Sequence, residues 1–145
     1  EINIIFAAAP SQNEFLEALA GTSGIDWSRV NAFHMDEYIG LDEKAAQRFG
    51  NFLKERIFSK VSFRSVNYIN GNVSDPEQEG IRYANLLKLY PVDIVCMGIG
   101  ENGHIAFNDP HVARFDDNTL VKVVNLDETT HIHPLNQQYF TKILT

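Results

Sequence analysis

Cysteine is almost missing from this chain: the 145 residues hold one, Cys96, set in an apolar run. No disulfide can form within the chain, which fits a reducing, cytoplasmic compartment. Basic residues are also short, 12 Lys and Arg against 19 Asp and Glu, for a net charge of -7. A nucleic-acid binder presents a basic stripe, so this deficit argues against such a partner. Long hydrophobic runs are absent as well. The run at residues 4–9 falls far below the roughly 20 residues that cross a bilayer as a helix, so no membrane partner is expected. Repeats, low-complexity tracts and linkers are missing too, which leaves a single domain over residues 1–145. The chain has no initiator methionine and enters a hydrophobic strand at once, so it reads as an excerpt of a longer polypeptide.

What is present is ordinary for a globular domain: 44% hydrophobic and 21% charged residues. Residues 2–8 are apolar apart from Asn3 and predict a buried strand. Ser11 and Glu14 form the pattern of a capping box, ahead of Phe15, Leu16 and Leu19 at helical spacing, and glycines at 21 and 24 end that helix. Residues 30–35 predict a second strand, and residues 43–59 a second helix with Phe49, Phe52, Leu53 and Ile57 on one face. A short strand at 66–69 closes on Asn70-Gly71-Asn72. Asp75 caps a third helix with Pro76 at its first position and Ile81, Ala84 and Leu87 turned inward. Residues 92–97 predict a fourth strand and 120–126 a fifth. The tail from residue 129 to 145, broken by Pro134, has no clear type. Alternating strands and helices imply an α/β fold: three layers, Rossmann-like, with a mostly parallel sheet between helices.

Ligands of such sheets bind beyond the carboxyl ends of the strands, and three suggestive loops fall there. The first is residues 9–11, where Ser11 and a helix amino end suit a phosphate. The second, FHMDEYIGLD at 33–42, sets Asp36 and Glu37 at the end of an apolar strand. Neighbours on an extended chain face opposite ways, so one acid can enter the site while the other binds backbone or the interior. The third, GIGENGHIAFNDP at 98–110, begins with the spacing GxGxxG. A dinucleotide loop needs a helix opening at its third glycine, and here Pro110 and Asn-Asp-Pro soon intervene. The stretch fits a catalytic loop better. Its glycines, Gly103 included, admit a small ligand, His104 can exchange protons near neutrality, and a carboxylate beside it can hold its tautomer. His131 and His133 share one side of an extended chain but bring no third ligand, so no metal is expected.

The paired motifs at 33–41 and 97–110 resemble those of glucosamine-6-phosphate deaminases, a family within the 6-phosphogluconolactonase superfamily. Residues 49–58 and 69–72 are similar to the segments between them. Lactonases carry a different acidic motif and typically read GHTASLFP where this chain has GHIAFNDP. The resemblance implies an aldose–ketose isomerisation that turns glucosamine 6-phosphate into fructose 6-phosphate and ammonia, with no cofactor. It implies Asp36 as the base that moves a proton between C2 and C1, and His104 as the group that opens the ring. Asn102 and Asp109 orient that histidine, while Ser11, Glu37 and Gly103 line the substrate. The chain departs from the family at Asp109, where glutamate is usual, and in the Ala-Ala-Pro-Ser loop that replaces a Thr/Gly-rich one. A homo-oligomer is compatible with the resemblance. Two other expectations stand beside the deaminase: a non-catalytic sugar-phosphate sensor, and a lactonase or isomerase with a changed substrate.

Overall fold

The computed structural model describes residues 1–125 and 138–142 of the chain. Four short strands form a parallel sheet in the order β4-β2-β1-β5, with β1 at Ile2–Phe6, β2 at Val30–His34, β4 at Ser65–Asn67 and β5 at Ile94–Cys96. Side-chain alternation along β1 divides the core. Ile5 and Ala7 join Phe33, Met35, Tyr83 and Leu87 on one face, beneath α3 (Pro76–Leu89). Phe6 and Ala8 join Leu16, Ala32, Leu53, Ile57 and Phe58 on the other. That second face is covered by α1 (Asn13–Gly21) and by α2 (Phe49–Leu53), which runs on as a wider π turn at Lys54–Phe58. Helices on both faces of a parallel sheet give the three layers expected from the sequence.

A second sheet was not expected. After β2 the chain passes Met35 and starts β3 (Asp36–Tyr38), which pairs antiparallel with β7 (Gln138–Lys142), itself antiparallel to β6 (Val121–Asn125). The strand foreseen near residues 120–126 therefore exists, but it belongs to this antiparallel sheet and does not extend the parallel one. His131 and His133 lie outside the described residues.

Three helix expectations need correction. The capping box at Ser11 does not form. Pro10 instead starts a 3-10 turn, Pro10–Gln12, closed by Gln12 N–H donating to the Ala9 carbonyl at 2.8 Å, and α1 begins only at Asn13. The second helix starts at Phe49, six residues later than 43, because Asp42 folds the preceding segment into turns: its side chain accepts from Lys44 N–H at 2.8 Å and its carbonyl from Ala45 N–H at 3.0 Å. In α3 the cap is as foreseen, with the Asp75 carboxylate accepting Gln78 N–H and Pro76 in the first turn. Its inward face is Glu79, Gly80, Tyr83 and Leu87, while Ile81 stands 53% exposed. α3 packs along β6 at Gly80, where a Cβ would meet the Val121 carbonyl at an ordinary 3.8 Å. At the amino end of β2, Trp27 packs edge-on to Phe63 at 4.9 Å.

Candidate active site

Strand register brings the three suggestive loops together. Phe6 is level with His34 on one side and with Cys96 on the other. Asp36 and Gly98, each two residues further on, thus leave the parallel sheet at the same height on either side of β1. At ordinary strand spacing β2 and β5, on either side of β1, lie about 10 Å apart where the sheet ends. Between them, Ala8 and Ala9 lead into the 3-10 turn, where Ser11 is exposed on this edge and Gln12 reaches toward Gly98.

The two adjacent acids divide as alternation requires. Glu37 is the interior one: its carboxylate accepts N–H groups from Tyr38 at 2.9 Å, Phe49 at 3.0 Å and Gly50 at 3.0 Å, with Arg48 at 3.9 Å. It is only 1% exposed and caps the amino end of α2, a favourable place for negative charge. The expectation that Glu37 lines the substrate is therefore corrected: both its oxygens are committed to the chain's own backbone. Asp36 is also buried. Loss of water, and then the neighbouring Glu37 charge, push its carboxyl up to about 8.

The glycine stretch forms a chain of turns with no helix opening at Gly103, which removes the dinucleotide reading. Gly100 N–H donates to the His104 carbonyl and Gly103 N–H to the Gly100 carbonyl, both at 2.9 Å. The imidazole of His104 packs directly on Gly100, where any Cβ would collide with the ring. Gly103 has φ +84°, a left-handed conformation that glycine adopts without steric cost. Ala106 takes φ 54° in the same loop, uncommon for a residue with a side chain.

His104 Nδ1 faces the Asn102 side-chain oxygen, and Asp109 Oδ1 lies 3.5 Å away. Asn102 in turn donates from its amide to Asp109 Oδ1 at 3.2 Å and accepts His104 N–H at 3.2 Å. Both neighbours of Nδ1 are acceptors, so Nδ1 carries the proton and Nε2 is the basic nitrogen. Asp109 is buried, whereas the imidazole is 32% exposed: a fixed ring with one face open. Asn102, His104 and Asp109 are thus brought together as expected.

Residues the sequence reading did not assign to the site hold the loops in place. Phe107 lies 5.8 Å from the Tyr38 ring and 5.6 Å from Phe49, and those two rings are 4.8 Å apart. This aromatic trio fastens the His104 loop to the strand that begins with Asp36. Gly71 is equally constrained, since a Cβ there would collide with the Tyr38 carbonyl, and its own carbonyl accepts Gly40 N–H at 2.9 Å. The available signal for His34 was a polar ring inside an apolar strand, where buried nitrogens need partners.

Comparison with known proteins places the fold and the family. The family model described as glucosamine-6-phosphate isomerases/6-phosphogluconolactonase matches residues 4–134. A glucosamine-6-phosphate deaminase of Listeria monocytogenes is 36% identical over 98% of this chain and 58% of its own length. One from Exiguobacterium is 39% identical over 82% of this chain and 45% of its own. The chain thus spans about half the length of the curated relatives it matches. Among solved structures, a monomeric glucosamine-6-phosphate deaminase superposes with a TM-score of 0.84 at 26% identity, over 98% of this chain and 64% of that one. The Thermotoga maritima 6-phosphogluconolactonase shares the fold, with a TM-score of 0.81 at 19% identity. Parallel sheet, acidic motif and histidine loop all occur in one matched span, and the chain belongs to the glucosamine-6-phosphate isomerase/6-phosphogluconolactonase family.

Proposed function

We propose that this chain carries the proton-transfer centre of a glucosamine-6-phosphate deaminase. The observation that carries the reading is the convergence of Asp36 and the Asn102–His104–Asp109 cluster on the carboxyl edge of one parallel sheet. His104 Nε2, basic because Nδ1–H is held, takes the proton of the C1 hydroxyl and delivers it to the ring oxygen as the bond from C1 to that oxygen breaks and the sugar opens to its aldehyde form. Asp36 in its ionised form then removes the proton from C2 and returns it to C1. The nitrogen leaves as ammonia when water adds at C2, so one water is consumed and fructose 6-phosphate is formed. A base with a pKa near the working pH combines adequate ionised fraction with adequate basicity, which suits the carboxyl of Asp36. Ser11 and the adjoining turn, beside the amino end of α1, offer the substrate's phosphate a hydroxyl and a helix amino end.

Ammonia release from glucosamine 6-phosphate by the purified protein tests the reading, with Asp36→Asn as the control expected to bind but not turn over. Binding of the sugar phosphate without turnover in the wild type would instead favour a sensor. Hydrolysis of 6-phosphogluconolactone without ammonia release would favour the lactonase branch.

A further inference from the structure

The ladder between β2 and β4 runs from Asn31↔Ser65 to Phe33↔Asn67 and then stops. Beyond it the β2 chain leaves for the antiparallel sheet at Asp36, while the β4 chain continues through Tyr68 and Ile69. Two side chains bridge the gap opened by this divergence: the Tyr83 hydroxyl, between the His34 backbone and the Asn67 carbonyl, and beyond it the His34 imidazole. His34 Nδ1 is 2.8 Å from the Asp36 carbonyl oxygen, and its Nε2 is 3.0 Å from the Ile69 amide nitrogen. A carbonyl only accepts and an amide N–H only donates, so Nδ1 must carry the proton and Nε2 the lone pair. The ring is completely buried, and its neighbours fix it further. Tyr68 and Tyr83 pack edge-on at 6.0 and 6.2 Å, and the Tyr83 hydroxyl accepts His34 N–H at 3.0 Å and donates to the His34 carbonyl at 2.9 Å. Burial lowers the pKa of this imidazole against the opposing pull of Glu37, and Arg48 adds to the lowering, so the ring stays neutral.

We propose that His34 is a positioning residue for Asp36, its neutral imidazole replacing the missing ladder bond and fixing the backbone from which the carboxyl projects. The inference deepens the proposed function, since it rests on Asp36 as the proton carrier. It concerns a residue that does not touch substrate, so its signature must differ from that of general destabilisation.

The two nitrogens can be separated by substitution. In His34→Asn the amide lies near the position of Nδ1 and can still donate to the Asp36 carbonyl, but the acceptor for Ile69 is lost. In His34→Gln the longer side chain carries an acceptor near the position of Nε2, and the bond to Asp36 is lost. Each variant gives up one buried bond, so both should lose comparable thermal stability. The proposal expects His34→Gln to lower kcat for ammonia release by about 10- to 100-fold with KM within about twofold, as small misplacements of a reacting group do. His34→Asn should stay within about threefold of wild type. Independently of turnover, the carbon-13 titration midpoint of the Asp36 carboxyl should fall by about one pH unit or more in His34→Gln, as the segment loosens toward water, and hold in His34→Asn.

Equal kcat losses in the two variants, tracking their melting temperatures, or one shared Asp36 midpoint in all three proteins would overturn the proposal. If wild type releases no ammonia, the deaminase reading fails, and the Asp36 midpoints alone decide the role of His34. If His34→Gln does not fold, nitrogen-15 spectra of the wild type decide. A single Nδ1–H tautomer coupled across its hydrogen bond to the Asp36 carbonyl carbon supports the role, and an Nε2–H or averaging ring removes it.

Discussion

At Asp36, stability and the proposed proton transfer meet in a single carboxyl. Its pKa rises from 3.8 to about 8 on folding, so between those values the folded state holds a proton that the unfolded chain has lost. The folded state binds more protons across that window, and stability contributed by this group falls as pH rises through it. Asp36→Asn removes the cost of ionisation. The variant should melt above wild type at pH 8–9, with the gap closing toward pH 5 in parallel thermal scans. The same variant should lose about 100- to 10,000-fold in kcat, the usual worth of a general base, with KM nearly unchanged. In wild type, kcat/KM should climb through the Asp36 midpoint, because the proposed base can take the C2 proton only when ionised. A flat profile between pH 6 and 9 would contradict that assignment. The histidine cluster was legible because its members are close in sequence: Asn102, His104 and Asp109 meet within one loop. Glu37 was not, since its partners Phe49 and Gly50 lie 12 and 13 residues away and belong to an element whose start was misplaced.

Among the elements, those bounded by local signals were read correctly. Proline at the first turn and aspartate at the cap located α3, and apolar runs located β1 and β2. β3 escaped notice because it contains two acids and only three residues, and it exists through pairing with a strand about a hundred positions later. On α3 the reading placed Leu87 and Ala84 correctly on the inward side but also put Ile81 there and missed Glu79, because Ile81 looks apolar while Glu79 does not. Yet Glu79 is buried, its Oε1 accepting Asn70 N–H at 2.7 Å and both its oxygens accepting from Arg82 at 2.6 Å. For α2 the testable feature is its cap. Glu37→Gln weakens charge-assisted acceptance of the Phe49 and Gly50 amides and should cost about 1–3 kcal/mol. Faster hydrogen exchange at those two amides than at β1 would locate the loss. Exchange unchanged there would separate the cap from the stability of α2.

On the scale of the whole molecule, one phenol joins the layers. Tyr83 rises from α3, packs against Phe33 at 6.1 Å and hydrogen-bonds both His34 and Asn67, so it touches the parallel sheet at two strands. Burial holds its hydroxyl protonated well above the ordinary tyrosine range. Tyr83→Phe strips partners from buried backbone groups and should cost about 1–3 kcal/mol. Because Met35 and Val121 belong to the same core cluster, both sheets should still unfold together, with near- and far-ultraviolet circular dichroism falling in one shared transition. Two separated transitions would mean that the antiparallel sheet is an independent unit. The convergence of loops was visible from the order of strands alone, since parallel connections send every carboxyl end the same way. The second sheet was not visible, because nothing local in the chain marks the change of strand direction at Met35.

The lone tryptophan has a practical use that follows from where it sits. Trp27 precedes β2 and packs on Phe63, a full strand length from the edge that holds Asp36. Its fluorescence therefore comes from one indole that a sugar bound at the opposite rim would not contact. The protein carries its own optical gauge of folding, readable in the same cuvette as turnover and free of quenching by substrate.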